Sequence, residues 1–366
     1  MTVEIDGRYG EGGGQILRTA LALSMVAGVP VHITHVREGR PKPGLAAQHL
    51  AAVRAAAALS GASVSGAELR STELFFAPRR RAAAGEYRFD IGEQLKGGSA
   101  GSVTLLLHAL LPPLALADGR SRLVLRGGTH VPWSPPYDYV EQVWLPVLAA
   151  AGIRADVTLK AWGWFPAGGG EVACTIEGNG GAPLQPVDLR ERGELLRITG
   201  RAVTARLLEH ISERMARRAA EELGSLGLPA VVEPLRVPGS GPGAGIFLTA
   251  HYQNVAAGFS SVGERGKPAE LVAEGAVAAL LEHHRAGAAV DEHLADQLLV
   301  PLALAGGVSR FTTPLVSGHL ETNAWVIRQF GQAETAFETT PGGTVAVTVT
   351  PLVTRPRPVR TKTTEV

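Results

Sequence analysis

The chain has 366 residues, 45% of them hydrophobic and 19% charged, and its formal net charge is +1. This composition is typical of a compact globular protein with a substantial core, and it excludes a disordered chain and a membrane protein, because no apolar run approaches the roughly 20 residues of a spanning helix. The near-neutral charge argues against a protein that coats duplex nucleic acid, whereas an enzyme that holds one strand end needs only a few local cations.

The N-terminal segment and the cysteine content both favour a cytoplasmic protein. Residues 1–14 include acidic side chains and no apolar h-region, so we expect no signal peptide. The single cysteine, Cys174, permits no internal disulfide and no thiolate zinc site, as is usual in a reducing compartment. The sequence leaves the oligomeric state open between a single chain and a homodimer.

One pattern of helices and short strands recurs three times along the chain. In the first copy, apolar periodicity after a glycine-rich turn predicts helices over 15–26 and 44–59 and strands over 31–36, 62–68 and 73–76. The second copy predicts helices over 103–117 and 136–150, a strand over 122–127, and strands near Val157 and Val172. The third predicts helices over 293–307 and 319–330 and strands over 309–314, 333–339 and 344–350. Three such copies predict an α/β (α+β) fold in which a helix pair covers each small sheet.

A stretch with a different element order separates the second copy from the third. Residues 186–287 predict a strand, an amphipathic helix, three strands and a final helix. We therefore expect a smaller α/β domain inserted into a large domain formed by 1–185 and 288–350, followed by a loose C-terminal tail over 351–366. The glycines of 239–245 lie between two strands and open no helix, so we predict a hairpin loop there rather than a dinucleotide site.

Charged side chains in the first copy form candidate anion and metal sites. Glu11 lies in a run of glycines, where backbone N–H groups, a metal or a phosphate can approach a carboxylate, and Arg18 follows on the helix. Arg37, Arg40 and Lys42 occupy a proline-stiffened loop that can aim guanidinium groups at a phosphate. A solvated acid and an ordinary basic surface loop are the alternatives. No P-loop signature occurs in the sequence, so a nucleotide would be held by other means.

His319 begins the second helix of the third copy, directly after a glycine turn. The positive end of a helix dipole disfavours imidazolium and favours a phosphate, so a histidine there suits a neutral nucleophile, although most histidines at helix starts only cap or pack. Trp133 and Trp164 lie in stretches rich in glycine and proline, where an indole can stack on a base, while Trp162 is better explained as a core residue at a strand end.

Seven segments of the chain, in their order, resemble the RNA 3'-terminal-phosphate cyclase family. They are EGGGQILRTAL, REGRPKPGLAAQHL, GSAGSV, GGTHVPWSPP, GWFPAGGGEV, HLADQLLVPLALAGG and SGHLETN. The resemblance implies three repeated units with a smaller domain inserted before the third. It also implies that a histidine takes AMP from ATP, that AMP passes to the 3'-phosphate of an RNA end, and that the vicinal 2'-hydroxyl then closes a 2',3'-cyclic phosphate. A divalent metal, Mg or Mn, would neutralise the triphosphate.

The resemblance assigns roles to residues of this chain by position. It implies that the nucleophile is His319 and that the metal ligand is Glu11. The implied RNA-phosphate-binding residues are Arg18, Arg37, Arg40 and Gln48. The implied nucleotide-binding residues are His108, Pro135, His293, Leu294, Ala295, Asp296 and Gln297. Several relatives have tyrosine at the position of His293 and glutamine at that of His108, so we expect altered adenine contacts and a retained activity.

Two other classes of protein share parts of this pattern. A non-catalytic cyclase-like factor in ribosomal-RNA maturation keeps the fold and loses the adenylylated histidine, whereas this chain retains His319, Glu11 and the LADQ segment. A carboxyvinyl-type transferase is also built from repeated α/β units, but it needs neither a nucleophilic histidine nor an adenine pocket. The sequence therefore predicts an ATP-dependent RNA 3'-terminal-phosphate cyclase that acts on RNA with a 3'-terminal phosphate.

Overall fold

The computed structural model of the protein describes residues 1–93, 99–228 and 230–352. The first unit consists of β1 (Val3–Asp6), α1 (Gly14–Ala27), β2 (Val31–Thr34), α2 (Ala47–Ser60), β3 (Ser63–Ser65) and β4 (Leu74–Ala77). The second consists of β5 (Glu86–Asp90), α3 (Val103–Ala115), β6 (Arg120–Gly127), α4 (Tyr137–Tyr139), a π-helical stretch (Val140–Trp144), α5 (Leu145–Ala150), β7 (Arg154–Ala161) and β8 (Gly170–Glu177). Most of the predicted tail, from residue 353 onward, lies outside the described residues.

The third unit is divided by the inserted one. It consists of β9 (Asp188–Leu189) and, after the insertion, α8 (Glu292–Ala303), β14 (Ser309–Thr313), α9 (Gly318–Gln329), β15 (Ala333–Thr339) and β16 (Val345–Pro351). The inserted unit consists of β10 (Leu195–Ala205), α6 (His210–Ser225), β11 (Ala230–Val237), β12 (Gly243–Tyr252), β13 (Ala256–Val262) and α7 (Ala269–Ala286).

The three units share one sheet topology. Their strand orders are β1-β2-β4-β3, β5-β6-β8-β7 and β9-β14-β16-β15. In each unit the first two strands run parallel and are joined by a crossover that contains a helix, while the remaining pairs are antiparallel. The predicted α/β fold of three repeated units, each with helices on a small sheet, is therefore confirmed.

One continuous apolar core holds the large domain together. Helix α1 contributes Ile16, Leu17 and Leu21 to it and lies against α2, α3 and α9. The start of α1 meets the start of α9, because Gln15 Nε2 donates a hydrogen bond to the backbone carbonyl of His319 at 3.1 Å. Core packing thus brings the glycine-rich turn of the first unit beside the His319 helix of the third. We call this junction of the first and third units the seam.

The inserted unit has a core of its own. Its sheet has the order β11-β10-β12-β13, and α6 and α7 cover it with side chains such as Met215 and Val277. Strand β9 lies within the predicted insertion 186–287, but it pairs with β14 of the third unit. We therefore propose that the insertion begins after Leu189. Within the described part of the chain, no helix is both long and apolar enough to cross a membrane.

Three details of the predicted elements need correction. The loop 239–245 is not a hairpin, because β11 pairs in parallel with β10, which separates it from β12. The first strand of each unit was missed in the sequence, since these strands are short and pair only with a strand beyond the next helix. The predicted helix 136–150 contains a π-helical stretch at Val140–Trp144, where the large Trp144 side chain is buried.

Candidate active site at the seam of the first and third units

The His319 imidazole lies in the first turn of α9, where its surroundings favour the uncharged form. Ser317 caps this helix, since its Oγ accepts the Leu320 N–H at 3.1 Å, so His319 is not the capping residue. Burial lowers the pKa of His319, and the nearby Arg18 charge lowers it further, while Glu11 opposes these effects. The positive end of the helix dipole acts in the same direction as the arginine. A histidine with these neighbours is neutral near pH 7 and keeps one nitrogen lone pair.

Glu11 of the glycine-rich turn contacts this imidazole directly. Its Oε2 lies 2.7 Å from His319 Nε2 and 3.5 Å from an Arg40 guanidinium nitrogen. Gly318 permits the approach, because a Cβ atom there would lie 2.9 Å from Glu11 Oε1. The structure therefore brings together the predicted nucleophile, the predicted metal ligand and one predicted phosphate-binding cation, and Glu11 is not a solvated acid on a free loop.

Two contacts that were not predicted from the sequence hold the glycine-rich turn against α9. Tyr9 stacks on Trp325 with ring centroids 4.1 Å apart and an interplanar angle of 10°. Gly10 has a φ of 57° and lies so close to Thr322 that a Cβ atom would come within 2.1 Å of its Oγ1. Both pairs join residues from opposite ends of the chain, and only the run of glycines signalled that a close backbone approach was present.

Asp296 of α8 is a largely buried carboxyl group close to the imidazole. Gln15 Nε2 donates to its Oδ2 at 2.6 Å, and His319 Nδ1 lies 4.0 Å from the same oxygen, too far for a hydrogen bond. Asn323 Nδ2 donates to the Asp296 backbone carbonyl at 3.0 Å. Burial raises the pKa of Asp296 to about 8, although the Arg18 charge opposes the rise. The Asp296 side chain is therefore mostly protonated at neutral pH.

Arg18 is a partly buried cation one turn into α1. Within the described ranges, its guanidinium has no hydrogen-bond or ion-pair partner, and burial lowers its pKa to about 10, so it stays charged at neutral pH. Its charge lowers the pKa of His49 and of His108, whose burial already keeps both imidazoles neutral. A partly desolvated cation without a counter-ion is costly, so this position favours a bound anion.

The other predicted phosphate-binding residues divide into two kinds. Arg40 reaches the seam through its contact with Glu11. Arg37 instead braces its own loop, because one of its Nη atoms donates to two backbone carbonyl oxygens at 3.0 and 2.7 Å. Gln48 Oε1 accepts the Ser102 N–H at 3.2 Å and so joins the first unit to the second. For Arg37 and Gln48 the structure shows a bracing role, and their contact with a phosphate stays a prediction.

Two predicted nucleotide-binding residues carry buried polar atoms that lack a partner among the described residues. These atoms are His108 Nε2 and Gln297 Oε1. The His108 ring packs against Trp144 with centroids 4.2 Å apart, and burial lowers its pKa to about 3. The helices that carry the two residues, α3 and α8, contact each other. An unpaired buried polar atom is destabilising, and a bound molecule that pairs with it removes the cost.

The remaining residues of the predicted nucleotide pocket differ in accessibility. Leu294 and Ala295 are fully buried in the core, so their side chains position α8 rather than face a ligand. The side chain of His293 is 70% exposed. Pro135 is partly buried, and its carbonyl oxygen accepts a hydrogen bond from Thr104 Oγ1 at 2.7 Å. Of these four residues, His293 and Pro135 have side chains that a bound nucleotide can contact.

Comparison with known proteins assigns the chain to a family. A sequence model of the RNA 3'-terminal phosphate cyclase family matches residues 9–337. The chain belongs to this family. The RNA 3'-terminal phosphate cyclase of Methylococcus capsulatus is 51% identical over 331 residues, which cover 90% of this chain and 91% of the relative. The proteins of the same name from Gloeothece citriformis and Trichormus variabilis are 50% and 53% identical and cover 91% and 90% of this chain and 94% of each relative.

A solved structure of another enzyme class resembles the chain only weakly. The enolpyruvyl transferase NikO from Streptomyces tendae matches 48% of this chain and 33% of its own at 18% identity, with a TM-score of 0.27. That similarity supports no conclusion about function. The family membership predicted from the seven sequence segments is confirmed by the relatives of the RNA 3'-terminal phosphate cyclase family.

The donor set at the seam of this cyclase-family chain fits a metal ion that arrives with a substrate. Among the described residues there is no group of three or more side chains of the kinds that ligate metals. Glu11 offers one carboxylate on an accessible turn. Magnesium is often held by one or two carboxylates together with substrate phosphate oxygens, and a site of that kind needs no larger protein cage.

The three tryptophans considered for base stacking behave differently. Trp164 is buried beside Phe247 of the inserted unit, so the prediction that it stacks on a base is wrong. Trp162 stacks on the buried His130 ring at 4.3 Å and belongs to the packing at a strand end, as predicted. Only Trp133 among the three presents its indole to solvent.

Proposed function

We propose that this chain converts the 3'-terminal phosphate of RNA to a 2',3'-cyclic phosphate in an ATP-dependent reaction that passes through His319–AMP. The observation that carries the proposal is the neutral His319 imidazole beside the Glu11 carboxylate and the unpaired Arg18 guanidinium. A neutral imidazole is a nucleophile, and an unpaired cation attracts the phosphate on which it would act.

In the first step, a His319 nitrogen attacks the α-phosphorus of ATP and pyrophosphate leaves. The ring gains positive charge as the N–P bond forms, and the Glu11 carboxylate 2.7 Å from Nε2 stabilises that charge. A divalent metal such as Mg or Mn on Glu11 would neutralise the triphosphate. The neutral Asp296 carboxyl adds no negative charge that would repel the nucleotide.

In the later steps, the RNA 3'-phosphate takes AMP from His319, and the adjacent 2'-hydroxyl then displaces AMP. Arg40, in contact with Glu11, and Arg18, whose charge acts on the His319 imidazole, would hold the terminal phosphate for attack. Ring closure joins two groups on neighbouring carbons, so their proximity lowers the entropic part of the barrier. The RNA end therefore needs few specific contacts beyond its terminal phosphate.

Adenine recognition is assigned to the unpaired polar atoms of the neighbouring helices. His108 Nε2 and Gln297 Oε1 would pair with donor and acceptor groups of a base, with Pro135 and the exposed His293 ring on its faces. The uncharged state of His108 suits this role, because a neutral imidazole offers one donor and one acceptor.

The proposed function is tested by incubating the protein with ATP labelled at its α-phosphate, with and without divalent metal. We expect acid-labile, alkali-stable label on the protein that is absent in His319→Ala and retained in His210→Ala, a matched change at an exposed histidine of the inserted unit. RNA with a 3'-phosphate should discharge the label and yield a cyclic phosphate, whereas RNA with a 3'-hydroxyl should not. An unlabelled wild-type protein would refute the proposal and favour a non-catalytic cyclase-like factor.

A further inference from the structure

The indole of Trp133 is held in the open by a backbone conformation that tryptophan rarely adopts. Its relative exposure is 98%, and its φ is 63°, in the left-handed region. Exposure of a large apolar ring and a left-handed backbone are both unfavourable for the isolated protein. Within residues 1–93, 99–228 and 230–352 the ring packs against nothing, so its position is not explained by a contribution to the described core.

The loop that carries Trp133 is braced on both sides of the ring. Tyr137 N donates to the Thr129 carbonyl at 3.0 Å, and Ser134 Oγ donates to the Val131 carbonyl at 3.1 Å. Thr129 Oγ1 also accepts the N–H of the neighbouring loop at residue 163, at 2.9 Å. A ring presented by a braced loop loses little conformational entropy when a ligand stacks on it.

A second exposed aromatic ring lies on the adjacent loop. Phe165 is 66% exposed and follows Trp164, which forms a parallel bridge with His130 three residues before Trp133. Buried stacking of Trp164 and Trp162 on the His130 ring fixes the two loops relative to one another. The fold therefore places two solvent-facing aromatic rings on neighbouring, rigidly supported loops.

An exposed arginine stands at the edge of the same pair of loops. Ser240 Oγ donates to the Gly168 carbonyl at 2.6 Å, and Arg206 donates to the Ser240 carbonyl at 3.1 Å through one nitrogen. Among the described residues, the other guanidinium nitrogens of Arg206 have no hydrogen-bond partner and can contact a second group. Aromatic rings beside a cation form the combination that binds single-stranded nucleic acid without sequence preference.

The Trp133 loop is linked to the first unit by hydrogen bonds of Thr104 and Ser102. Thr104 Oγ1 donates to the Pro135 carbonyl at 2.7 Å, and Thr104 also contacts the Ser102 hydroxyl at 2.7 Å. Ser102 N in turn donates to Gln48, one of the predicted RNA-phosphate-binding residues. These hydrogen bonds connect Gln48 to Pro135, two residues after Trp133.

We propose that Trp133 and Phe165 form a stacking platform for the nucleotides that precede the 3'-terminal nucleotide of a single-stranded RNA, with Arg206 on the phosphate backbone. This inference rests on the proposed function for the direction of the strand. Stacking accepts any base, so the platform adds affinity for RNA length and none for sequence. It also explains how a chain with almost no net charge retains an RNA strand.

The test compares two ligands with a 3'-phosphate, uridine 3'-phosphate and a decanucleotide of uridine, in wild type, Trp133→Ala, Trp133→Phe and Phe165→Ala. Equilibrium binding is measured without ATP, and cyclisation is measured separately. We expect wild type to prefer the decanucleotide, and Trp133→Ala to raise its Kd about tenfold, within the range for one base stacked on an aromatic ring. Trp133→Phe should keep most of the preference, and the Kd of uridine 3'-phosphate, which has no preceding nucleotide, should change less than about twofold in each variant. Val231→Ala, at an exposed apolar position of the inserted unit, is the matched control and should leave both Kd values unchanged.

Several results would overturn the platform. They are an equal loss of affinity for both ligands in Trp133→Ala, no loss for either ligand, or a wild type that binds the short and the long ligand equally well. If Trp133→Ala reduced labelling by ATP in the absence of RNA, the ring would be assigned to the nucleotide instead. If Trp133→Ala changed only the molecular mass of the particle in solution, the ring would be assigned to a contact with another protein chain. Because binding is measured without ATP, a wild type that binds RNA by length but takes no label would refute the proposed function and leave the platform standing.

Discussion

The raised pKa of the buried Asp296 carboxyl predicts how the free energy of unfolding changes with pH. Its side chain is 15% exposed, and burial raises its pKa to about 8, against about 3.9 for an aspartate in an unfolded chain. Between these two values the folded protein holds a proton that the unfolded chain has lost. This group therefore stabilises the fold most at low pH, and its contribution is lost progressively as the pH rises towards about 8.

The size of the effect follows from linkage. For one group with a folded pKa of about 8, the free energy of unfolding falls by about 2–3 kcal/mol between pH 6 and pH 9. Asp296→Asn keeps the shape of the side chain and replaces the protonated carboxyl by an uncharged amide. The amide oxygen still accepts the hydrogen bond from Gln15 that now reaches Asp296 Oδ2. We therefore expect the free energy of unfolding of the variant, relative to wild type, to increase by about 2–3 kcal/mol between pH 6 and pH 9.

The assay is urea unfolding at several pH values without nucleotide, followed by tryptophan fluorescence. All five tryptophans lie outside the inserted unit, so their signal reports the large domain. Asp118→Asn, at an exposed aspartate, is the control and should follow the wild-type curve. If the free energies of wild type and Asp296→Asn change in parallel from pH 6 to pH 9, the carboxyl is not held protonated and the account of the seam is wrong.

Three further substitutions test contacts between units of the fold. Gly10→Ala should lower the free energy of unfolding in urea by about 1–3 kcal/mol more than Gly12→Ala does. Both glycines have a φ of 57°, but only at residue 10 would a Cβ atom collide with Thr322. Equal losses in the two variants would show that the contact is not tight. Trp325→Ala removes the stack on Tyr9 and should lower the free energy of unfolding by about 1 kcal/mol more than the loss of buried apolar area alone would. It should also slow the labelling of His319, and Trp325→Phe should restore most of the rate. A wild-type rate in Trp325→Ala would contradict this prediction. Arg201→Ala removes the 3.1 Å contact with the buried Asp138 and should lower thermal stability by about 2 kcal/mol, whereas Arg197→Ala on the same strand should not.

The repeated architecture could be predicted from the sequence because it is written in local periodicity. Each helix and most strands carry their own apolar pattern, and the pattern recurs three times. The strands that were missed are the first of each unit, and β9 has only two residues, so its identity depends on β14, its pairing partner far along the chain. The local sequence of 239–245 predicts a hairpin because the loop of a hairpin and the loop of a crossover can have the same sequence, and only the strand order distinguishes them.

The two central residues of the candidate site could be predicted from the sequence, whereas the contacts that hold them in place could not. The family resemblance and the helix start pointed to His319 and Glu11, which the fold brings to 2.7 Å. The stack of Tyr9 on Trp325 depends on how the first and third units pack, and no local pattern encodes that contact. Burial of Trp164 was missed for the same reason, since its neighbour Phe247 belongs to the inserted unit.

The protonation state of Asp296 also sets the net charge that the seam presents to a phosphate. If Asp296 were ionised, two carboxylates would face Arg18 and Arg40, and the seam would offer an incoming triphosphate little attraction. With Asp296 protonated and His319 neutral, Glu11 contacts Arg40 while Arg18 pairs with neither carboxyl group, so the seam keeps a positive excess that a phosphate can neutralise. The same burial that raises the Asp296 pKa leaves Arg18 without a partner. A single cause, desolvation at the junction of α1, α8 and α9, therefore prepares both the nucleophile and the anion site, and we expect phosphate affinity to weaken as the pH rises past about 8.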